Sequence, residues 1–87
     1  MALVNMMESF VDEALEKMLA SESCCKCARC KEDMKAIALN ALPAKYVSTQ
    51  NGVLFSKLNS TIRQNSVDIS IAVANAIGWV SSRPSHD

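Results

Sequence analysis

All four cysteines of this chain fall within seven consecutive residues, Cys24-Cys25-Lys26-Cys27-Ala28-Arg29-Cys30, and no other feature restricts the fold as much. A chain of 87 residues buries only about 60% of its unfolded surface, so it gains from a covalent or metal staple. The N-terminus, Met1 to Asn5, lacks the charged n-region of a secretory signal, which predicts a cytoplasmic location. Disulfides do not normally persist there, so a dense cysteine group reads as metal-binding or redox-active. Cys27-Ala-Arg-Cys30 has the two-residue spacing of a zinc knuckle, in which both thiolates reach one tetrahedral ion at about 2.3 Å. Cys25 supplies a third ligand from an extended segment. The fourth stays open between Cys24, which points away from Cys25 in extended backbone, and His86, the only histidine. Structural zinc is the favoured reading. The alternative is a thiol redox pair, Cys27 and Cys30, with a lowered thiol pKa at a helix start, although the usual βαβ setting is missing.

Composition narrows the function. A 49% hydrophobic share offsets ordering entropy and argues against disorder. No apolar run approaches the roughly 18 residues of a membrane span. Aromatics at 5% leave little for base stacking, which makes nucleic-acid binding the weakest reading. The net charge of zero hides a gradient. Residues 1–22 carry Glu8, Asp12, Glu13, Glu16 and Glu22 against Lys17, whereas residues 24–45 carry Lys26, Arg29, Lys31, Lys35 and Lys45 against Glu32 and Asp33. The plain reading is an acidic solvated helix face with a basic packing complement; the sharper one is that the basic stretch meets an anion. No nucleophile–base pair can be argued around His86, so the chain reads as a non-enzyme.

Val4, Met7, Val11, Ala14 and Met18, widened by Phe10 and Leu15, predict a first helix over residues 3–20, with Asn5 as a cap if the start is late. Met34, Ile37, Ala38, Ala41 and Leu42 predict a second helix with Glu32 and Asp33 in its first turn, stopped by Pro43. Residues 44–49 should be extended and Gln50-Asn51-Gly52 a turn. Leu54, Phe55, Leu58 and Ile62 predict a third helix from Val53. Residues 67–73 alternate as a strand would, but Ile69, Ala72, Val73, Ala76, Ile77 and Val80 fit a helix over a longer window. The other side of that helix, Val67, Ile71 and Ala74, is also apolar. It should therefore be buried on more than one face or shared with a second subunit.

The run Cys25-x-Cys27-x-x-Cys30-x-x-Asp33-Met34-x-Ala36-Ile37-Ala38-Leu39-Asn40-x-Leu42-Pro43-x-x-Tyr46-Val47 resembles the late competence development protein ComFB family. The likeness continues more weakly through Gly52 into the last apolar helix. It implies a small, mainly helical homodimer of bacterial cytoplasm with a cysteine-bound zinc. It also implies a regulatory role, since relatives have been tied to binding cyclic di-GMP in control of competence and motility. This chain departs from the pattern by adding Cys24 and by carrying His86 where a C-terminal cysteine would stand. If a cyclic dinucleotide binds, Arg29, Lys31 and Lys35 would meet phosphates, Tyr46 or Arg29 would stack on guanine, and Asp33 would accept from a guanine edge. The plain alternative for Arg29, Lys31 and Asp33 is a solvated or dipole-favourable position, and for Tyr46 a loop anchor.

The expectation is a single all-α domain over residues 1–87: four helices with a cysteine-rich zinc loop between the first two, forming a homodimer. The function read from it is regulatory or interactive, with a cyclic dinucleotide or a protein partner as candidate ligands and no membrane association.

Overall fold

The apolar stripe of the first helix starts later than its spacing suggests. In the computed structural model, which describes residues 3–21, 27–48 and 50–82, Leu3–Asn5 form strand β1 and helix α1 runs from Met7 to Leu19. Asn5 is the cause. Its Oδ1 accepts from the Met7 amide at 3.1 Å and from the Lys45 amide at 2.9 Å, a side-chain competition with the backbone that breaks a helix. Val4 is thereby removed from the helical stripe and paired with Val47 in strand β2, Tyr46–Ser48; the antiparallel register sets Leu3 opposite Ser48 and Asn5 opposite Tyr46. Val47 turns inward and is buried while Tyr46 is exposed, the period-two alternation of a strand. The expected extended segment over 44–49 is this strand.

Helix α2, Ala28–Ala41, begins at the cysteines rather than after them. Cys27 is extended at φ −69° and ψ 163°, and its carbonyl accepts from Lys31 at 3.0 Å to start the helical ladder. Glu32 and Asp33 consequently lie in the second turn, and the first turn holds no acid. Ala28 and Arg29 are good helix formers, so nothing delays the start. Leu42 ends the helix in extended geometry before Pro43, as the proline requires.

Helix α3 spans Gly52–Gln64, and the Asn51 side chain accepts from the Leu54 amide at 3.0 Å. The expected turn is thus a helix cap. Helix α4, Val67–Ser82, settles the strand-or-helix ambiguity over 67–73 as helix.

α4 packs chiefly on α2, with α1 against both, while α3 rests mainly on β2. Met34, Val11, Val47, Val73 and Cys30 are fully buried at the centre, each apolar side chain contributing about 1.5–3 kcal/mol relative to exposure. From α3, Ile62 is buried and Leu58 partly so. The expected burial of α4 on more than one side is not met within a single chain: Val67 is 67% and Ile71 54% exposed. The four-helix architecture agrees with the sequence reading, and a ribbon of two three-residue strands is added to it. Among the described residues, no helix is long and apolar enough to cross a membrane.

Candidate functional site

The start of α2 holds two of the proposed metal ligands. Cys27 occupies the position before the first helical residue and is exposed; Cys30, one turn on, is buried. Cys27, in extended backbone, stands at the surface, while Cys30 turns into the core. The exposed N–H groups of this first helical turn also favour negative charge there. Cys24, Cys25 and His86 lie outside the described residues. Among the described residues alone, no group of three His, Cys, Asp or Glu side chains could hold a metal ion.

The basic stretch is divided by the same helix. Lys35 faces α1, 3.2 Å from Asp12 and 3.8 Å from Glu8. Lys31 lies further along the groove between the two helices, near Glu16 and Leu19, so α1 and α2 run antiparallel. That groove is lined by four carboxylates, Asp12, Glu13, Glu16 and Glu32, against two ammonium groups, Lys31 and Lys35. Its balance is negative, which disfavours a phosphate. Lys35 therefore fits the packing-complement reading.

Arg29 is exposed and Asp33 half-buried near the start of α2. Tyr46, 62% exposed, lies in the ribbon after the far end of the helix. α2 rises about 18 Å between Arg29 and Ala41 at about 1.5 Å per residue. A single chain does not gather Arg29, Lys31, Asp33, Lys35 and Tyr46 into one surface.

One constellation was not read from the sequence. The Arg63 guanidinium lies 5.1 Å from the centroid of the Phe10 ring, 3.6 Å from Glu13, and its Nε donates to Asn59 at 3.0 Å. It ties α3 to α1 across a hollow of about 210 Å³ whose lining includes Phe55 and Asn5. The Asn59–Arg63 spacing is a local signal. The reach to Phe10 is a tertiary contact that no local pattern carries.

The family model of the late competence development protein ComFB matches residues 4–84. The chain belongs to the ComFB family. The solved structure of the late competence protein ComFB from Bacillus subtilis is similar to it with a TM-score of 0.79 at 26% identity, covering 97% of this chain and 93% of that one. A comparison with curated proteins finds no match. The helical arrangement described above is therefore shared with a ComFB structure over nearly the full length of both chains. The ComFB motif quoted from the sequence runs along α2 into β2, so its two halves mark opposite ends of one helix: the cysteine turn and the Pro43–Tyr46 entry to the ribbon.

Proposed function

We propose that this ComFB-family protein is a non-enzymatic regulatory protein that acts through its binding surfaces, as a homodimer with a structural zinc, in the control of competence or motility. The observation that carries this reading is the apolar surface left uncovered on a single chain. Val67 is 67% and Ile71 54% exposed, two apolar side chains one turn apart on α4 of the kind that mark a contact surface. Light scattering tests it: a dimer mass supports the reading, and a single-chain mass at every concentration overturns it.

For zinc, Cys27 and Cys30 are the two donors on the first turn of α2, Cys25 is the third, and Cys24 or His86 the fourth. Bound there, zinc would fix the connection between α1 and α2. Metal analysis of protein purified without chelator is expected to find about one equivalent. Less than about half an equivalent overturns the assignment, and Cys24→Ser and His86→Ala variants identify the fourth ligand. The regulatory ligand we propose is a cyclic dinucleotide, with Arg29, exposed near the start of α2, as the phosphate-facing group. Calorimetric titration with cyclic di-GMP should give saturable heat that Arg29→Ala loses; a flat titration removes the ligand from the account.

A second reading is favoured by the unequal exposure of the cysteines, Cys27 exposed and Cys30 buried. In it the Cys27 thiolate attacks a substrate protein's disulfide, and Cys30 then displaces the substrate sulfur. This leaves a Cys27–Cys30 disulfide and a reduced substrate dithiol. Rapid disulfide exchange by Cys27 in metal-free protein supports it, and a stoichiometric bound metal opposes it.

A further inference from the structure

Phe55, Asn59 and Arg63 follow one another on α3 at one-turn intervals and so form a single stripe. Ser9, Phe10 and Glu13 of α1 stand across from them. The two stripes do not interlock. α3 rests mainly on β2, Ile62 is its buried side chain, and Phe55 is left 43% exposed. Two hollows of about 210 and 230 Å³ open between the helices, and both are lined by Phe10, Glu13 and Arg63. Val4 also lines the first, and Met18 and Ile69 the second. We propose that this trough binds a small aromatic carboxylic acid, its ring between Phe10 and Phe55 and its carboxylate on Arg63. The site lies apart from the cysteine turn and from Arg29, and needs neither the zinc nor the cyclic dinucleotide proposed above.

Arg63 is the first argument. Its Nε donates to Asn59 at 3.0 Å and its guanidinium lies 5.1 Å from the Phe10 centroid, so the side chain is positioned before any ligand arrives. Glu13 stands 3.6 Å from Nη1, beyond hydrogen-bond length, and balances charge without occupying that donor. A guanidinium held in this way offers its outer N–H groups to a carboxylate, whose two oxygens match them.

Charge selects the sign of the ligand. Among the described residues, the charged groups lining the two hollows are Glu13, Lys17 and Arg63, one more cation than anion. Glu13 is shared between the two cations, 3.7 Å from Lys17 and 3.6 Å from Arg63. The groove between α1 and α2 has the opposite balance, four carboxylates against two ammonium groups. A small anion is therefore favoured on the α3 side of α1 and disfavoured on the α2 side.

Size selects the class. A hollow of about 210 Å³ has the volume of roughly seven waters at about 30 Å³ each, below the roughly 300–1,000 Å³ of drug-sized pockets. It takes one ring with a short chain; a partner's helix, about 10 Å across, is too wide. Phe10 and Phe55 supply faces and edges for that ring, and seating it removes exposed Val4 and Phe55 surface from water.

Amide NMR of the nitrogen-labelled full chain tests the site by titration with hydrocinnamate, with phenylpropanol as the uncharged analogue and phenylpropylamine as the cationic one. Hydrocinnamate should give saturable shifts centred on Phe10, Glu13, Phe55, Asn59 and Arg63, and the two analogues should bind at least about fivefold more weakly. Arg63→Gln should reduce hydrocinnamate to the affinity of the alcohol and leave the alcohol unchanged. Glu13→Gln should tighten hydrocinnamate by about twofold or more, because a like charge leaves the site; general loosening of the trough would weaken it instead. Shifts that fail to saturate or centre elsewhere, an alcohol that binds as tightly as the acid, or a folded Arg63→Gln with the parent's affinity for the acid overturns the proposal. If Arg63→Gln fails to fold, Glu13→Gln decides, and no gain in affinity overturns it. Binding that is lost as protein concentration rises means that a second copy covers the trough, and overturns it too.

Discussion

Helices α1 and α4 both pack against α2 and both bury one apolar stripe, but they meet solvent differently. The outward side of α1 carries Glu8, Asp12, Glu13, Glu16 and Lys17, with Glu13 and Lys17 paired at 3.7 Å and Lys35 reaching across from α2. The outward side of α4 carries Val67 and Ile71, and its only charge is Asp68. Water completes α1, because charged side chains lose nothing by staying solvated. On α4, the folded chain leaves Val67 and Ile71 exposed to water, which favours the covering by a second copy proposed above. Folding information resides in the inner stripes of both helices, and the proposal gives the outer side of α4 to association.

The two sides of α4 should part most widely under the same substitution. Val73 is fully buried, so Val73→Asp places an unpaired carboxylate in the core and should cost more than about 4 kcal/mol. A chain of this length is stable by only about 4–13 kcal/mol, so cooperative urea unfolding should be largely lost. Ile71→Asp, on the outer side, should leave unfolding at low protein concentration within about 0.5 kcal/mol of the parent while abolishing the dimer. Equal effects at the two positions would break the distinction between inner and outer side.

Smaller effects sharpen the α1 half of the comparison. Asn5→Ala removes the acceptor for two backbone amides, at Met7 and Lys45. It should lower stability by about 1–2 kcal/mol, measured by urea unfolding. Lys35→Ala removes contacts to Glu8 and Asp12 that solvent partly screens. It should change the thermal midpoint by the equivalent of less than about 1 kcal/mol, a difference that shrinks further as salt is added. A large, salt-insensitive loss at Lys35 would mean that the α1–α2 face is more than a solvated complement.

Much of this was legible in the sequence because it is periodic. The stripes of α1, α2, α3 and α4 repeat every three to four residues, and Pro43 and Asn51 punctuate them where the backbone demands it. The strand at Leu3–Asn5 was not legible as such, since Val4 fits the helical stripe as well as Met7 does. What decides against helix is the Lys45 amide, forty positions away, meeting Asn5. Glu32 and Asp33 suit a first turn by charge and so draw the predicted start of α2 toward themselves, whereas the helix begins at Ala28 with Cys27 in the position before it. For the site, the spacing of Cys27 and Cys30 told that they share a turn, but not that one would be buried and the other exposed. The grouping of Arg29, Lys31, Asp33, Lys35 and Tyr46 came from proximity in sequence. A helix of fourteen residues separates its two ends, so that grouping does not survive folding in one chain.

The central claim, that this ComFB-family protein is unfinished as a single chain, is tested most directly by light scattering of the purified full chain over about a hundredfold dilution. The account predicts a mass of twice 9.5 kDa at the concentrated end. A mass of 9.5 kDa at every concentration would contradict it.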